Sequence, residues 1–168
     1  MIALIVYGSF INKQELKDKN ISTDRCVPIV LNGFKREFSQ EPSWRKATSK
    51  HRAVLTCFTD PNHFINALLI KDISKEELKE LDVREIGYDR LQIDINQIQY
   101  KYTNEHKDLD EIYIYIGKEE KYNNGIFPNK NYLQLCIDGA NTWSREFAND
   151  FMNTTFSKNK TLKDLYGY

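Results

Sequence analysis

Apolar residues follow strand-like spacing over most of the first half of the chain. Residues 2–7 form a continuous apolar run that is rich in β-branched side chains, and this run predicts a buried strand. Residues 26–38 are rich in β-branched and aromatic side chains and predict a second, long strand. Two shorter strands are predicted at 53–58 and 64–70, because the stretch 60–62 between them, Asp-Pro-Asn, is a turn signal.

A predicted helix and a predicted strand meet near Gly87. Ser74, followed three residues later by Glu77, predicts a capping box at the start of the helix. Gly87 is expected to end the helix, because glycine readily takes the positive φ of a helix C-terminus. Over residues 88–95 apolar side chains alternate with polar ones, which predicts a strand. Glu85 therefore lies in the last turn before a sharp change of chain direction.

The second half of the chain adds one more strand and a long helix. Residues 111–117 alternate between isoleucine and tyrosine, which predicts a strand covered on both faces. Residues 132–151 carry apolar side chains at steps of three and four, so one long helix is predicted there. This order of elements favours an α+β fold with a mixed, mostly antiparallel sheet that could close into a small β-barrel. No linker or repeat divides the sequence, so residues 1–168 are interpreted as a single domain.

Composition and charge are those of an ordinary globular protein. The 168 residues include 24 Lys or Arg and 24 Asp or Glu, so the formal net charge is zero. A neutral chain does not favour nucleic acid or an anionic membrane as a partner. The first apolar run is too short for a signal peptide, and no stretch reaches the roughly 18 apolar residues of a membrane span. We therefore expect a cytoplasmic protein, and the sequence allows a homodimer as well as a monomer.

Residues that bind metals or form covalent intermediates are scattered along the chain. The cysteines are far apart and include no Cys-x-x-Cys pair, so we expect them to be buried apolar side chains. The histidines show no ligand spacing and are predicted to lie on the surface. Glycine motifs of nucleotide-binding loops are absent as well, so no metal and no other cofactor is predicted. These cysteines and histidines are Cys26, Cys57, Cys136, His51, His63 and His106.

Two stretches carry groups that are suited to catalysis. The first strand runs directly into Tyr7, Gly8, Ser9 and Phe10, and the backbone N–H groups of such a turn can bind a carboxylate or an oxyanion. The same residues also suit an ordinary turn that ends a strand. Glu85 is the second candidate, because a carboxylate is unfavourable at the C-terminal end of a helix dipole and so invites a functional explanation. Considered alone, Glu85 is better explained as one more solvated carboxylate on the surface of the helix.

Taken together and in this order, the two stretches resemble the γ-glutamylcyclotransferase-like superfamily. The resemblance rests on Val-Tyr-Gly-Ser at 6–9 and on Leu-Asp-x-x-Glu-x-Gly-Tyr at 81–88. Between them, Leu-x-Gly-Phe-x-Arg-x-Phe at 31–38 and Arg-Ala-Val-Leu at 52–55 look like the second and third strands of that superfamily. The late helix, which begins near Tyr132, resembles the corresponding helix of the bacterial members of the superfamily. The superfamily includes γ-glutamyl cyclotransferases and the glutathione-specific ChaC-type enzymes.

The resemblance implies a fold and a role for each candidate residue. The fold would be a small mixed β-barrel flanked by helices. The turn at 7–10 would bind the γ-glutamyl group of a small-molecule substrate, and Glu85 would be the catalytic acid and base. Tyr88 would orient Glu85 or line the pocket, and an ordinary core tyrosine explains it equally well. Two positions depart from the pattern: Phe10 replaces the usual Leu and should narrow the pocket, and Ala67 replaces a frequent Gly and should limit backbone approach.

The implied reaction is intramolecular and needs no cofactor. The α-amine of a γ-glutamyl group attacks its own γ-carbonyl, which forms 5-oxoproline and releases an amine or amino acid. One carboxylate can take the proton from the amine and return it to the leaving nitrogen. Two alternatives keep the fold: a non-catalytic protein that binds a γ-glutamyl compound or another small carboxylate, and a transferase that cleaves or forms γ-glutamyl amides. The presence of Glu85 favours an enzyme over the non-catalytic protein, and the sequence leaves both enzymatic alternatives open.

Overall fold

The fold is known from a computed structural model, which describes residues 1–43, 48–104 and 108–167. His106 lies outside these residues. The described residues contain eight strands in one sheet: β1 (Ile2–Val6), β2 (Cys26–Gln40), β3 (Val54–Ile70), β4 (Tyr88–Gln92), β5 (Ile98–Gln99), β6 (Glu111–Gly117), β7 (Thr155–Ser157) and β8 (Lys160–Thr161). The α-helices are α1 (Lys13–Asp18), α2 (Lys75–Arg84), α3 (Lys130–Asn141), α4 (Arg145–Thr154) and α5 (Leu162–Tyr166).

The sheet is mixed, mostly antiparallel and open. Its strand order is β4-β6-β1-β3-β2-β7-β8, and β5 pairs with β2 beside this path. β1 runs parallel to β6 and β2 runs parallel to β7, whereas the other pairs are antiparallel. The predicted α+β class is thus confirmed, but closure into a barrel is wrong. Closure needs two edges that can pair with each other, and β8 is only two residues long and leads directly into α5.

The two longest strands, β2 and β3, form an antiparallel pair. The sequence analysis had predicted β3 as two separate strands. Asn32 pairs with Phe64 and Phe34 pairs with Thr59, so the stretch 60–63 bulges out opposite Gly33. Gly33 has a φ of 84°, which suits a glycine at such an irregularity. The two strands predicted at 53–58 and 64–70 are therefore one strand, β3, and the predicted turn between them is an irregularity in its pairing with β2.

The helix before Gly87 begins as predicted, but the predicted reason for its end is wrong. Ser74 and Glu77 form the predicted capping box. The helix α2 ends at Arg84, with Glu85 as its C-cap. Gly87 does not have a positive φ, since Gly33 alone among the described glycines has one. The predicted reason for a glycine at position 87 is therefore wrong. A Cβ atom on Gly87 would lie 2.3 Å from Ser43 Oγ, so close packing requires the glycine instead.

The predicted long helix at 132–151 is two helices. α3 ends at Asn141, and Ser144 caps α4 by accepting a hydrogen bond from the N–H of Phe147. Between the helices, Trp143 Nε1 donates to the carbonyl of Ile11 at 2.9 Å. Both helices bury apolar side chains in the same core, which is why the apolar spacing continues across the break.

The cysteines are buried, as the sequence predicted. Cys26, Cys57 and Cys136 are free and buried, and burial raises the pKa of Cys57 and of Cys136 to about 12. Such thiols stay protonated near neutral pH and behave as apolar side chains. Of the histidines that the structure describes, His51 is exposed and His63 is half-buried. No helix within the described ranges is long and apolar enough to cross a membrane.

Candidate active site

A cavity of about 880 Å³ opens beside the end of β1, the junction of α2 with β4, and the start of α3. This volume lies within the range of roughly 300–1,000 Å³ that is usual for small-molecule sites. The structure brings together around this cavity all the residues that the sequence analysis assigned to catalysis or substrate binding. They are Tyr7, Gly8, Ser9, Phe10, Glu85 and Tyr88.

The turn after β1 keeps part of its backbone free for a ligand. Its hydrogen bonds run from the N–H of Ile11 to the carbonyl of Gly8, at 3.0 Å, and from the N–H of Asn12 to the carbonyl of Ser9, at 2.9 Å. These bonds do not use the N–H of Phe10, for which no acceptor is present among the described residues. Phe10 itself is half-buried and lines the cavity. An N–H group of this kind can receive a carboxylate or an oxyanion.

Tyr132 is a part of the site that the sequence analysis missed. A Cβ atom on Gly8 would lie 2.6 Å from the Tyr132 hydroxyl, so the turn and the phenol can meet only because residue 8 is glycine. Burial raises the pKa of Tyr132 well above its usual value, and the N–H of Ser9, which faces the phenolic oxygen, has a smaller opposing effect. The sequence showed Tyr132 only as an apolar position of a helix, because its contact with the turn joins distant parts of the chain.

A buried arginine holds the backbone at the start of the turn. Arg36 is fully buried and its Nη1 donates to the carbonyl of Tyr7 at 3.1 Å. The Tyr7 hydroxyl donates in turn to the carbonyl of Tyr115 at 2.6 Å. Both contacts fix the residue just before Gly8, so the backbone of the turn enters the cavity in a defined position.

Glu85 projects into the cavity from the end of α2. It is half-buried, and no described residue forms a hydrogen bond or ion pair with its carboxylate. Burial raises the pKa of Glu85 to about 6, and the positive charge of Lys19 has a smaller opposing effect. A carboxyl group with a pKa near the ambient pH can both accept and donate a proton, as acid–base catalysis requires.

Tyr88 lines the cavity without holding Glu85. Its hydroxyl donates to the carbonyl of Leu55 at 2.8 Å, so a direct hydrogen bond that orients Glu85 is not present. Burial raises the pKa of Tyr88, and the nearby charge of Glu85 raises it further. Ala67 is fully buried in β3, and the residues that line the cavity do not include it.

Comparison with known proteins gives no match by sequence but several by structure. No family model matches the chain, and no curated protein matches it. A γ-glutamyl cyclotransferase superposes with a TM-score of 0.58 at 15% identity, over 89% of this chain and 85% of its own. A glutathione-specific γ-glutamyl cyclotransferase from yeast gives a TM-score of 0.63 at 16% identity, over 91% and 94%. The chain has the γ-glutamyl cyclotransferase-like fold. YkqA from Bacillus subtilis shares it, with a TM-score of 0.66 at 15% identity over 95% of this chain and 55% of YkqA.

Charged residues surround the opening of the cavity in this γ-glutamyl cyclotransferase-like fold. Arg52 and Glu41 form an ion pair, with 2.5 Å between Nη2 and Oε1. Lys19 and Arg84 also line the cavity and are exposed. Within the described ranges, no three or more His, Cys, Asp or Glu side chains are grouped so that they could hold a metal ion.

Proposed function

We propose that this protein is a γ-glutamyl cyclotransferase-type enzyme, which converts a small γ-glutamyl compound into 5-oxoproline and a free amine. The observation that carries the proposal is the position of Glu85. Its unpaired carboxylate, with a pKa raised to about 6, faces the same cavity as the turn at Gly8, Ser9 and Phe10. The γ-glutamyl cyclotransferase-like fold supports the proposal.

The reaction needs one proton acceptor and one proton donor. Glu85, as a carboxylate, takes a proton from the α-ammonium group of the substrate. The freed amine attacks the γ-carbonyl carbon, and the C–N bond to the leaving amine breaks. Glu85 then returns the proton to the leaving nitrogen. The ring nitrogen loses its second proton to Glu85, which passes it to the released amine, so the amine departs as an ammonium ion and the enzyme ends in its starting state. Because nucleophile and electrophile belong to one molecule, the site mainly has to hold the glutamyl chain in a folded conformation.

The turn and the tyrosines have binding roles in this proposal. Backbone N–H groups of the turn, including that of Phe10, receive the oxyanion that develops on the γ-carbonyl, or the α-carboxylate of the substrate. Tyr7, Tyr88 and Tyr132 surround the glutamyl chain and keep water from Glu85, which maintains its raised pKa. Phe10, bulkier than leucine, narrows the cavity at the turn.

The test combines a substrate panel with a change at Glu85. We expect 5-oxoproline to be released from at least one of a panel of γ-glutamyl amino acids, γ-glutamyl amines and glutathione. Glu85→Gln should reduce kcat by about 10³-fold or more, because glutamine keeps the shape of the side chain but cannot carry the proton. Glu80→Gln is the matched control, since Glu80 is an exposed residue of the same helix.

Two results would contradict the proposal in different ways. Full turnover by Glu85→Gln would refute the role of Glu85. Tight binding of a γ-glutamyl compound without any 5-oxoproline would favour a non-catalytic binding protein with the same fold. A melting temperature measured for each variant separates loss of chemistry from loss of folding.

A further inference from the structure

A buried glutamine lies beside the segment that carries Glu85. Gln40 is the last residue of β2 and is 1% exposed. Its side-chain Nε2 donates to the carbonyl of Gly87 at 2.8 Å. Gly87 lines the large cavity, whereas Gln40 is not among the described residues of that lining. Any effect of Gln40 on the proposed reaction must therefore act through Gly87 and not through contact with the substrate.

Two glycines make room for the side chain of Gln40. A Cβ atom on Gly87 would lie 3.1 Å from Gln40 Nε2, and one on Gly117 would overlap Gln40 Oε1. The two glycines belong to neighbouring strands, because Gly117 in β6 pairs with Tyr88, the residue after Gly87. The amide is therefore confined between the start of β4 and the end of β6.

The stability of the fold does not explain an amide at this position. The backbone of Gln40 pairs with Val54 in β3, which does not depend on the side chain. The carbonyl of Gly87 has a second donor, the N–H of Lys118 at 2.9 Å, and would stay paired without Gln40. Gln40 Oε1 is buried, and none of the described residues donates to it. Because an unpartnered buried acceptor destabilises the folded state, an apolar side chain would be the more stable choice.

The hydrogen bond from Gln40 supports the chain just after Glu85. The N–H of Glu85 completes the last turn of α2, and its carbonyl accepts from the N–H of Tyr88 at 3.1 Å. Between Glu85 and Gly87, the side chain of Ile86 is 56% exposed and contributes little packing. The carboxylate of Glu85 has no hydrogen-bond or ion-pair partner among the described residues, so its position depends on the backbone that carries it.

We propose that Gln40 is a positioning residue of the active site. Its amide fixes the carbonyl of Gly87, and through Gly87 it keeps the carboxylate of Glu85 directed at the turn formed by residues 7–10. This inference rests on the proposed function and deepens it, because it adds a residue that touches no substrate. It also explains why a buried amide with an unpartnered oxygen is present at the end of β2.

The test removes the donor and keeps the size of the side chain. In Gln40→Met we expect kcat to fall by about 10- to 100-fold, because a displacement of about 1 Å near a reacting group can have an effect of this size. KM should change by less than about threefold, since the turn that binds the glutamyl group is unaltered. The melting temperature should not decrease, because the variant removes an unpartnered acceptor and Gly87 keeps its bond to Lys118.

Thr56→Val is the matched control. Thr56 and Gln40 line the same second cavity, of about 340 Å³, and both are buried. The Thr56 hydroxyl accepts from the N–H of Gly117 at 2.9 Å and does not contact Gly87. Loss of this acceptor should lower the melting temperature by about 2–4 °C. Because Gly87 keeps both of its donors, kcat should stay within about twofold of the natural value.

The pKa of Glu85 distinguishes positioning from a purely structural role. It can be measured without turnover by an NMR titration of the glutamate carboxyl carbons, in which Glu85→Gln identifies the signal. In the natural protein and in Thr56→Val we expect a midpoint near pH 6, because burial raises the pKa of Glu85 to about 6. Gln40→Met should lower the midpoint, since a carboxylate that turns towards the opening is less buried. Lys19, whose charge has the smaller opposing effect, is present in all three proteins.

The outcomes separate this inference from the proposed function. If the natural protein releases 5-oxoproline, an unchanged kcat or an unchanged pKa of Glu85 in Gln40→Met overturns the inference and leaves the enzyme supported. If the natural protein converts no compound of the panel, the proposed function fails. The NMR titration then decides the inference alone: an unchanged midpoint in Gln40→Met refutes the effect of Gln40 on Glu85, and a lower midpoint supports it.

Discussion

At the scale of single residues, two opposing effects set the pKa of Glu85. Burial among cavity residues raises its pKa to about 6, and the positive charge of Lys19 lowers it by a smaller amount. The proposed first step requires the carboxylate form. We therefore expect kcat/KM to fall as the pH decreases through about 6, rather than through the usual range of a glutamate near 4.5.

Lys19 offers a direct check of this assignment. Lys19→Met removes the effect that lowers the pKa, so the acidic limb of the kcat/KM profile should move to higher pH, whereas Lys17→Met should leave it in place. The measurement is a pH–rate profile with γ-glutamyl-ethylamide, which has no second carboxylate to interact with Lys19. An acidic limb near pH 4.5, or one that does not move in Lys19→Met, would contradict the assignment.

The same shift has a consequence for stability. The folded state binds the Glu85 proton more tightly than the unfolded state, so the contribution of Glu85 to the free energy of unfolding decreases as the pH rises from about 4.5 to about 6. Above that range the buried, charged carboxylate of Glu85 destabilises the folded protein. For this reason Glu85→Gln should melt no lower than the natural protein at neutral pH, which makes it a suitable variant for testing catalysis.

Sequence motifs predicted the candidate residues but not all of their surroundings. Glu85 and the turn at 7–10 were predicted because their spacing and type resemble a known pattern, and the structure brings them to one cavity. Tyr132 could not be predicted, because apolar spacing does not distinguish a side chain in the core from one whose hydroxyl meets a distant turn. Gly87 was predicted for the wrong reason: it is required by contact with Ser43 and not by its φ.

At the scale of elements, two features that depend on neighbouring residues were predicted, whereas features that depend on distant contacts were not. The capping box of α2 and the alternation of β6 depend on neighbouring residues, and both are present as predicted. The break between α3 and α4 depends on Ser144 and on the contact of Trp143 with a carbonyl from a distant turn. The irregularity in β3 depends on β2 pairing on both sides of it. Neither contact is visible in the spacing of apolar residues.

Arg36 connects several of these elements from inside the core. Its guanidinium donates to Tyr7, Asn66, Thr154 and Thr155, and it lies 4.3 Å from the ring centre of Phe151. Burial lowers its pKa to about 10, so it is still charged at neutral pH. The turn after β1 and the elements β2, β3, α4 and β7 therefore meet at one buried cation whose hydrogen-bond partners are all neutral.

We expect Arg36→Met to decrease the free energy of unfolding by about 3 kcal/mol or more. The variant leaves several buried acceptors without a donor, and each unsatisfied group costs about 1–3 kcal/mol. Chemical denaturation with urea measures the change. Arg90→Met is the control, because Arg90 is exposed and its pair with Asp82, at 3.4 Å, is worth about 1 kcal/mol or less. Equal losses in the two variants would show that Arg36 is not the connecting element.

At the scale of the whole molecule, the cavity is lined by parts of the chain that lie far apart in sequence. The sheet is open, and β4, which follows Glu85, is an edge strand that pairs with β6. The turn after β1, the end of α2 and the start of α3 form the lining from three separate regions of the sequence. A ligand that contacts all three should therefore stabilise the entire fold and not only the site.

This predicts that the reaction product raises the melting temperature. A ligand that binds only the folded state adds about 2.7 kcal/mol at a hundred times its dissociation constant, and each kcal/mol corresponds to about 2–4 °C for a protein of this size. L-5-Oxoproline at saturating concentration should thus raise the melting temperature by about 5–10 °C in a thermal-shift measurement. The D enantiomer, which presents its carboxylate on the other side of the ring, should have a smaller effect.

A glycine substitution separates binding in the cavity from unspecific stabilisation. Gly8→Ala places a Cβ atom 2.6 Å from the Tyr132 hydroxyl, which has to move and so disturbs the proposed glutamyl site. The shift caused by L-5-oxoproline should then largely disappear. Gly125→Ala, whose Cβ atom approaches only the end of the Asn123 side chain at 3.1 Å, should keep the full shift because Gly125 does not line the cavity. An equal shift in both variants would place the ligand elsewhere, and the binding role proposed for the turn would be wrong.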